Sequence, residues 1–70
     1  MKYLIIDPEK LAICLARKIM TRREMCKISG ITEANMSTII KTRRVLPATA
    51  GKIAAALGVD VLEILDLREK

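Results

Sequence analysis

Between Thr21 and Lys41 two segments, each only long enough for a short helix, are separated by barely three residues. Thr21-Arg22-Arg23-Glu24 is a capping box, in which the Thr hydroxyl and the Glu carboxylate satisfy each other's orphan backbone N–H groups. It opens a helix that Ser29-Gly30 closes after about two turns. Thr32 caps the next helix, and Met36, Ile39 and Ile40 supply its apolar stripe. Helices this short are not stable in isolation, so they must pack. With so short a link they must also cross steeply, at roughly 90–120°. Such a crossing needs a small side chain midway along the first helix, and Cys26 stands there. It needs a turn residue that tolerates left-handed backbone, which Gly30 provides. It needs apolar residues facing inward from both helices and the turn, here Met25, Ile31, Met36 and Ile39.

Start and stop signals divide the rest of the chain into three more helices. Asp7 is an N-cap, Pro8 suits the first helical position, and Glu9 favours the positive end of the dipole. From there Leu11, Cys14, Leu15, Lys18 and Ile19 follow at helical steps, predicting an amphipathic helix to about Met20. Thr42-Arg43-Arg44-Val45-Leu46 reads as a basic loop. Pro47 starts a helix running to Leu57, with Ala50, Ile53, Ala54 and Leu57 on one face and Gly58 at its end. Asp60-Val61-Leu62-Glu63 repeats the capping logic and predicts a last short helix through Ile64, Leu65 and Leu67. Before all of these, Tyr3-Leu4-Ile5-Ile6 has strand propensity and no helical period. It suits an edge strand, pairing with a second copy of itself, or packing over the helices. The expected class is all-α: one domain over residues 1–70, five short helices and a short extended N-terminal segment.

Seventy residues suit one small core, and Tyr3 is the only aromatic, so the core is aliphatic. Lack of rings also argues against single-stranded nucleic acid, which needs stacking platforms. Residues 1–44 carry ten Lys/Arg against four Asp/Glu, whereas residues 45–70 carry three against four. The basic part suits an acidic partner, either nucleic acid or an anionic membrane surface. The opening apolar run breaks at Asp7-Pro8, too short for a signal peptide or a spanning helix, which predicts a cytoplasmic protein with no membrane partner. There Cys14 and Cys26 are expected as reduced, buried thiols. With two Cys and no His, neither a zinc site nor the commonest general base is available. No enzyme activity, cofactor or small-molecule ligand is expected. Met20, Met25 and Met36 read as packing, and Asp60, Glu63, Asp66 and Glu69 as caps and a solvated helix face.

Two stretches resemble the Cro/C1 repressor type of helix-turn-helix domain, also called the Xre family. Residues 15–32, Leu-Ala-Arg-Lys-Ile-Met-Thr-Arg-Arg-Glu-Met-Cys-Lys-Ile-Ser-Gly-Ile-Thr, are similar to that family's first helix end, second helix and turn. Residues 47–59, Pro-Ala-Thr-Ala-Gly-Lys-Ile-Ala-Ala-Ala-Leu-Gly-Val, resemble its fourth helix, and Lys52 to Val59 are the most diagnostic part. The resemblance covers about residues 11–66 and implies a lambda-repressor-like fold. The family usually has Gly at Ile19, Ala at Cys26 and often Gln at Arg22. The first two departures are expected to touch packing alone, and the third exchanges a backbone-contacting amide for a full charge.

The resemblance implies a sequence-specific regulator of transcription, a repressor, bound to double-stranded DNA as a homodimer, as in small regulators of phages and mobile elements or in antitoxins. Its recognition helix, 33–41, would lie in the major groove. By position Glu33, Ala34 and Thr38, with Ser37 beside them, would read bases. Arg22, Arg23, Asn35, Lys41, Arg43 and Arg44 would hold phosphates. The dimer contact would come from apolar excess in the last helix, Val61, Ile64 and Leu67, or from Tyr3–Ile6. The rival reading is a helical module that binds a partner protein and has lost DNA, since Glu33 and Ala34 are not obvious DNA ligands.

Overall fold

The computed structural model describes residues 2–67; Glu69 lies outside them. A strand β1 (Leu4–Ile5) precedes helices α1 (Pro8–Lys18), α2 (Arg22–Ser29) and α3 (Glu33–Thr42). A strand β2 (Arg44–Val45), helix α4 (Pro47–Leu57) and a 3-10 turn at Val61–Glu63 follow. The helix starts are where the caps place them. Asp7 accepts from the backbone N–H groups of Glu9 and Lys10. Thr21 N–H donates to Glu24 Oε1 at 2.8 Å and Glu24 N–H to Thr21 Oγ1 at 3.1 Å, closing the box. Thr32 Oγ1 accepts from Asn35 N–H at 3.1 Å. The core is aliphatic and sulfur-bearing, with Ile6, Leu11, Met25, Met36, Ile53, Leu57 and Ile64 fully buried and no buried polar side chain among the described residues. Ala50 and Ala54 are buried on the inner face of α4, which packs most extensively against α2. No described helix is long and apolar enough to cross a membrane.

Each of the four α-helices ends on a residue in the left-handed region: Ile19 (φ 51°), Gly30 (80°), Arg43 (65°) and Gly58 (68°). Ile19 corrects the expected end of the first helix. That helix stops at Lys18, and Ile19 does not join its inward stripe; its side chain is 92% exposed. Left-handed backbone brings Cβ against the following carbonyl, at about 1–2 kcal/mol for an L-residue, and branching at Cβ aggravates it. The departure from Gly at this position therefore acts on the backbone and on the surface, not on packing.

The N-terminal segment pairs within its own chain. Leu4 and Ile5 stand opposite Val45 and Arg44 in an antiparallel ladder, extended by Ile6 N–H to Arg43 O at 2.9 Å. On its other edge Ile6 bridges Leu65, with Asp7 N–H on Ile64 O at 2.8 Å and Asp66 N–H on Ile5 O at 2.9 Å. Residues 4–6 thus lie between two partners, and the expected basic loop supplies one of them.

The same pairing shortens the last helix. Asp60 caps it as expected, accepting from Leu62 N–H at 2.9 Å. Yet the carbonyls that would carry it onward are taken elsewhere: Ile64 O by Asp7, and Leu62 O and Leu65 O by the Lys10 ammonium at 3.2 and 2.8 Å. One 3-10 turn remains. Ile64, expected on an outer face, is buried, whereas Leu62 and Leu67 are exposed.

Replacing Ile19 by Gly should relieve the left-handed backbone without emptying any packed space. Urea unfolding is expected to show a gain of about 1 kcal/mol, since strain relief exceeds the added freedom of the unfolded chain.

Candidate nucleic-acid interface

The turn between α2 and α3 is built on one acceptor. Cys26 O receives Gly30 N–H at 2.9 Å, Ile31 N–H at 3.1 Å and the Ser29 hydroxyl at 3.3 Å. The Gly30 bond is the last helical one, and the positive φ of Gly30 is what turns the Ile31 N–H back onto the same oxygen. Cys26 itself is buried beneath the turn, beside Met25 and Ile31 in the core. Burial pushes its thiol pKa up; the Glu33 carboxylate adds to the shift and the Arg22 guanidinium opposes it. Both cysteines are free and buried.

Met36 and Ile39 turn α3 inward, which leaves Glu33, Ala34, Ser37, Thr38 and Lys41 exposed. The start of α2 lies along one side of that exposed strip. Arg22 Nη2 donates to Ser37 Oγ at 3.3 Å, and Arg23 Nε pairs with Glu33 Oε2 at 3.3 Å. Within α3 the Thr38 hydroxyl donates to Ala34 O at 3.2 Å and the Thr42 hydroxyl to Thr38 O at 2.9 Å.

On the other side of the strip runs an open groove of about 660 Å³, lined by Asn35, Thr38 and Thr42 of α3, by Arg44, by Thr49 in the first turn of α4, and by Tyr3. The Arg44 guanidinium lies 6.0 Å from the Tyr3 ring centre, held there by the pairing of β1 with β2. Arg43 and Lys41 are exposed at the end of α3.

All ten residues singled out in the sequence are thus exposed in or around one helix. Glu33 and Ser37 stand with Arg23 and Arg22; Thr38 and Asn35 stand with Arg44 across the groove. Tyr3, Thr42 and Thr49 were not foreseen. A hydroxyl in the otherwise apolar start of α4 was a usable signal for Thr49. Tyr3 had none, because its place depends on strand pairing with residues forty positions away.

The model of the Cro/C1-type helix-turn-helix DNA-binding domain matches residues 10–70. No curated protein and no solved structure matches the chain.

Cys26→Leu should overpack the turn and lower stability by about 1–3 kcal/mol in urea unfolding, whereas Cys26→Ala is expected to be milder. The raised thiol pKa also has a sign. The folded chain holds this proton more tightly than the unfolded chain, so the contribution is complete below the ordinary thiol value and fades as pH rises through the folded one. Cys26→Ala should reduce the loss of stability measured over that alkaline range.

Proposed function

Since the chain belongs to the Cro/C1-type helix-turn-helix family of DNA-binding domains, we propose that it is a transcriptional repressor, acting in the cytoplasm as a homodimer that reads the DNA major groove with α3. The observation that carries this reading is the exposed strip Glu33–Thr38 with cations around it: Arg22 and Arg23 along one side, Arg44 across the groove on the other, and Lys41 and Arg43 exposed at the end of α3. That spacing suits a helix in the groove with a phosphate row on either side.

The hydrogen bonds give the two hydroxyls of the strip different roles. Ser37 Oγ accepts from Arg22, so its own proton is directed to an acceptor such as guanine O6 or N7. Thr38 spends its proton on Ala34 O, so its oxygen faces outward as an acceptor for the amino group of cytosine or adenine. Ala34 offers a methyl group to thymine, and Glu33 an oxygen to the cytosine amino group. Arg23 is tied to Glu33 in the free chain and would exchange that exposed pair for a phosphate.

The groove beside the strip suits the phosphate backbone. Asn35, Thr49 and Tyr3 bring neutral donors to it and Arg44 a charge. The start of α4 has no side-chain cap, which leaves its first N–H donors for an anion at the same place. A dimer would set two such helices about 34–36 Å apart on successive major grooves. With both edges of residues 4–6 occupied, the exposed Leu62 and Leu67 are the better contact for it. Repression needs nothing more than occupation of a promoter's groove.

Titrating salt against binding to random duplex is the first test. Five cations at phosphates predict a slope of log K on log salt of about −4 to −5 per domain, and Arg43→Ala with Arg44→Ala should lower it by about 2 for every sequence. A flat response, or no binding at low salt, would contradict the reading. Selection from a random duplex pool should show that Thr38→Ala changes the preferred bases, while Tyr3→Phe weakens all duplexes alike.

A further inference from the structure

Away from the recognition strip, Ile19, Met20 and Ile28 line a shallow groove of about 360 Å³ together with Lys18, Glu24 and Lys27. Two features of it have no explanation in the fold. Ile19 occupies left-handed backbone that suits glycine, and its side chain is 92% exposed. Ile28, on the outer side of α2, is 61% exposed. Neither packing nor backbone preference accounts for isoleucine at either position, and strained or exposed apolar residues concentrate at binding surfaces.

Charge restricts what the groove can accept. The Glu24 carboxylate is engaged in its own helix cap, with Thr21 N–H at 2.8 Å and the Thr21 hydroxyl at 3.2 Å on the same oxygen. Among the described residues neither the Lys18 nor the Lys27 ammonium is ion-paired. The groove is therefore apolar, and its rim carries two ammonium groups against one carboxylate that is held in its cap, a net positive charge. A second copy presenting the same face would set these lysines against their counterparts. The 3-10 turn of a second copy is a poor match, because Asp60 caps that turn and Leu62 is the one large exposed apolar side chain it offers to the two isoleucines.

We propose that the groove of Ile19, Met20 and Ile28 docks an acidic amphipathic segment of a partner protein, whose aliphatic side chains cover the isoleucines while its carboxylates meet Lys18 and Lys27. The surface shares no residue with the proposed DNA contacts, so partner and duplex can be held together. The footprint is small, and the affinity for a single segment is accordingly modest, on the order of 10–100 μM.

The test uses the full chain and a short synthetic amphipathic peptide of Leu and Glu, followed by backbone amide shifts and by anisotropy of the labelled peptide. Shifts should cluster on residues 18–28 and persist when saturating duplex is present. Ile19→Gly with Ile28→Gln should weaken the peptide about ten-fold or more while duplex affinity stays within about two-fold. Lys18→Glu with Lys27→Glu should weaken it too and favour a Leu/Lys peptide instead. The proposal is overturned by no detectable binding at millimolar peptide, by equal binding of the Leu/Lys peptide to the unmodified chain, or by shifts on Glu33–Thr38 that duplex abolishes. It is also overturned if sedimentation shows self-association that Ile19→Gly removes, since the occupant is then a second copy. Duplex binding is measured in parallel, so loss of the DNA reading and loss of this one are separate results.

Discussion

The direction of α3 is set by a single carbonyl. Three donors converge on Cys26 O, from Ser29, Gly30 and Ile31, and the last of them, which turns the chain, reaches it only while Gly30 stays in the left-handed region. This one cluster ends α2, turns the chain and starts α3 at a fixed angle. The side-chain links between the helices then follow. Arg22 meets Ser37 and Arg23 meets Glu33 because the start of α2 has been brought alongside the exposed face of α3. The buried cysteine below completes the arrangement: a larger side chain would lift one helix off the other, and a charged one would be stranded in an aliphatic core.

What the sequence disclosed follows from the range over which each feature is encoded. The caps at Asp7, Thr21, Thr32 and Asp60 each depend on residues within a few positions, and all four are where their spacing places them. The inward stripe of α3 and the cations around it were likewise readable. The misplacements have distant causes. The last helix has its cap and its apolar residues, but Lys10 and Asp7 take the carbonyls it would need. Ile19 has the right spacing for a core stripe and fails because the chain must bend back so that Met20 can rejoin the core. The Arg22–Ser37 and Tyr3–Arg44 contacts were illegible for the same reason: they form only after elements far apart in the chain are brought together.

The proposed DNA face is already tied down before any duplex arrives. Its hydroxyls and guanidinium groups engage each other, which limits the side-chain freedom that would otherwise be lost on binding. These links are exposed and individually weak, so they orient groups without holding them back from a better partner.

Residues 4–6 connect two places that the chain's order keeps apart. Through Ile6 they hold Leu65, and through Leu4 and Ile5 they hold Val45 and Arg44. Releasing residues 4–6 frees both flanks at once, the segment past the 3-10 turn on one edge and β2 with the arginine it carries on the other. Opening of the N-terminal segment therefore exposes the far end of the domain and the loop after α3 together. Hydrogen exchange at Ile6, Val45 and Asp66 should then proceed by a shared opening, and the order of the Arg44 side of the groove is governed from the opposite end of the chain.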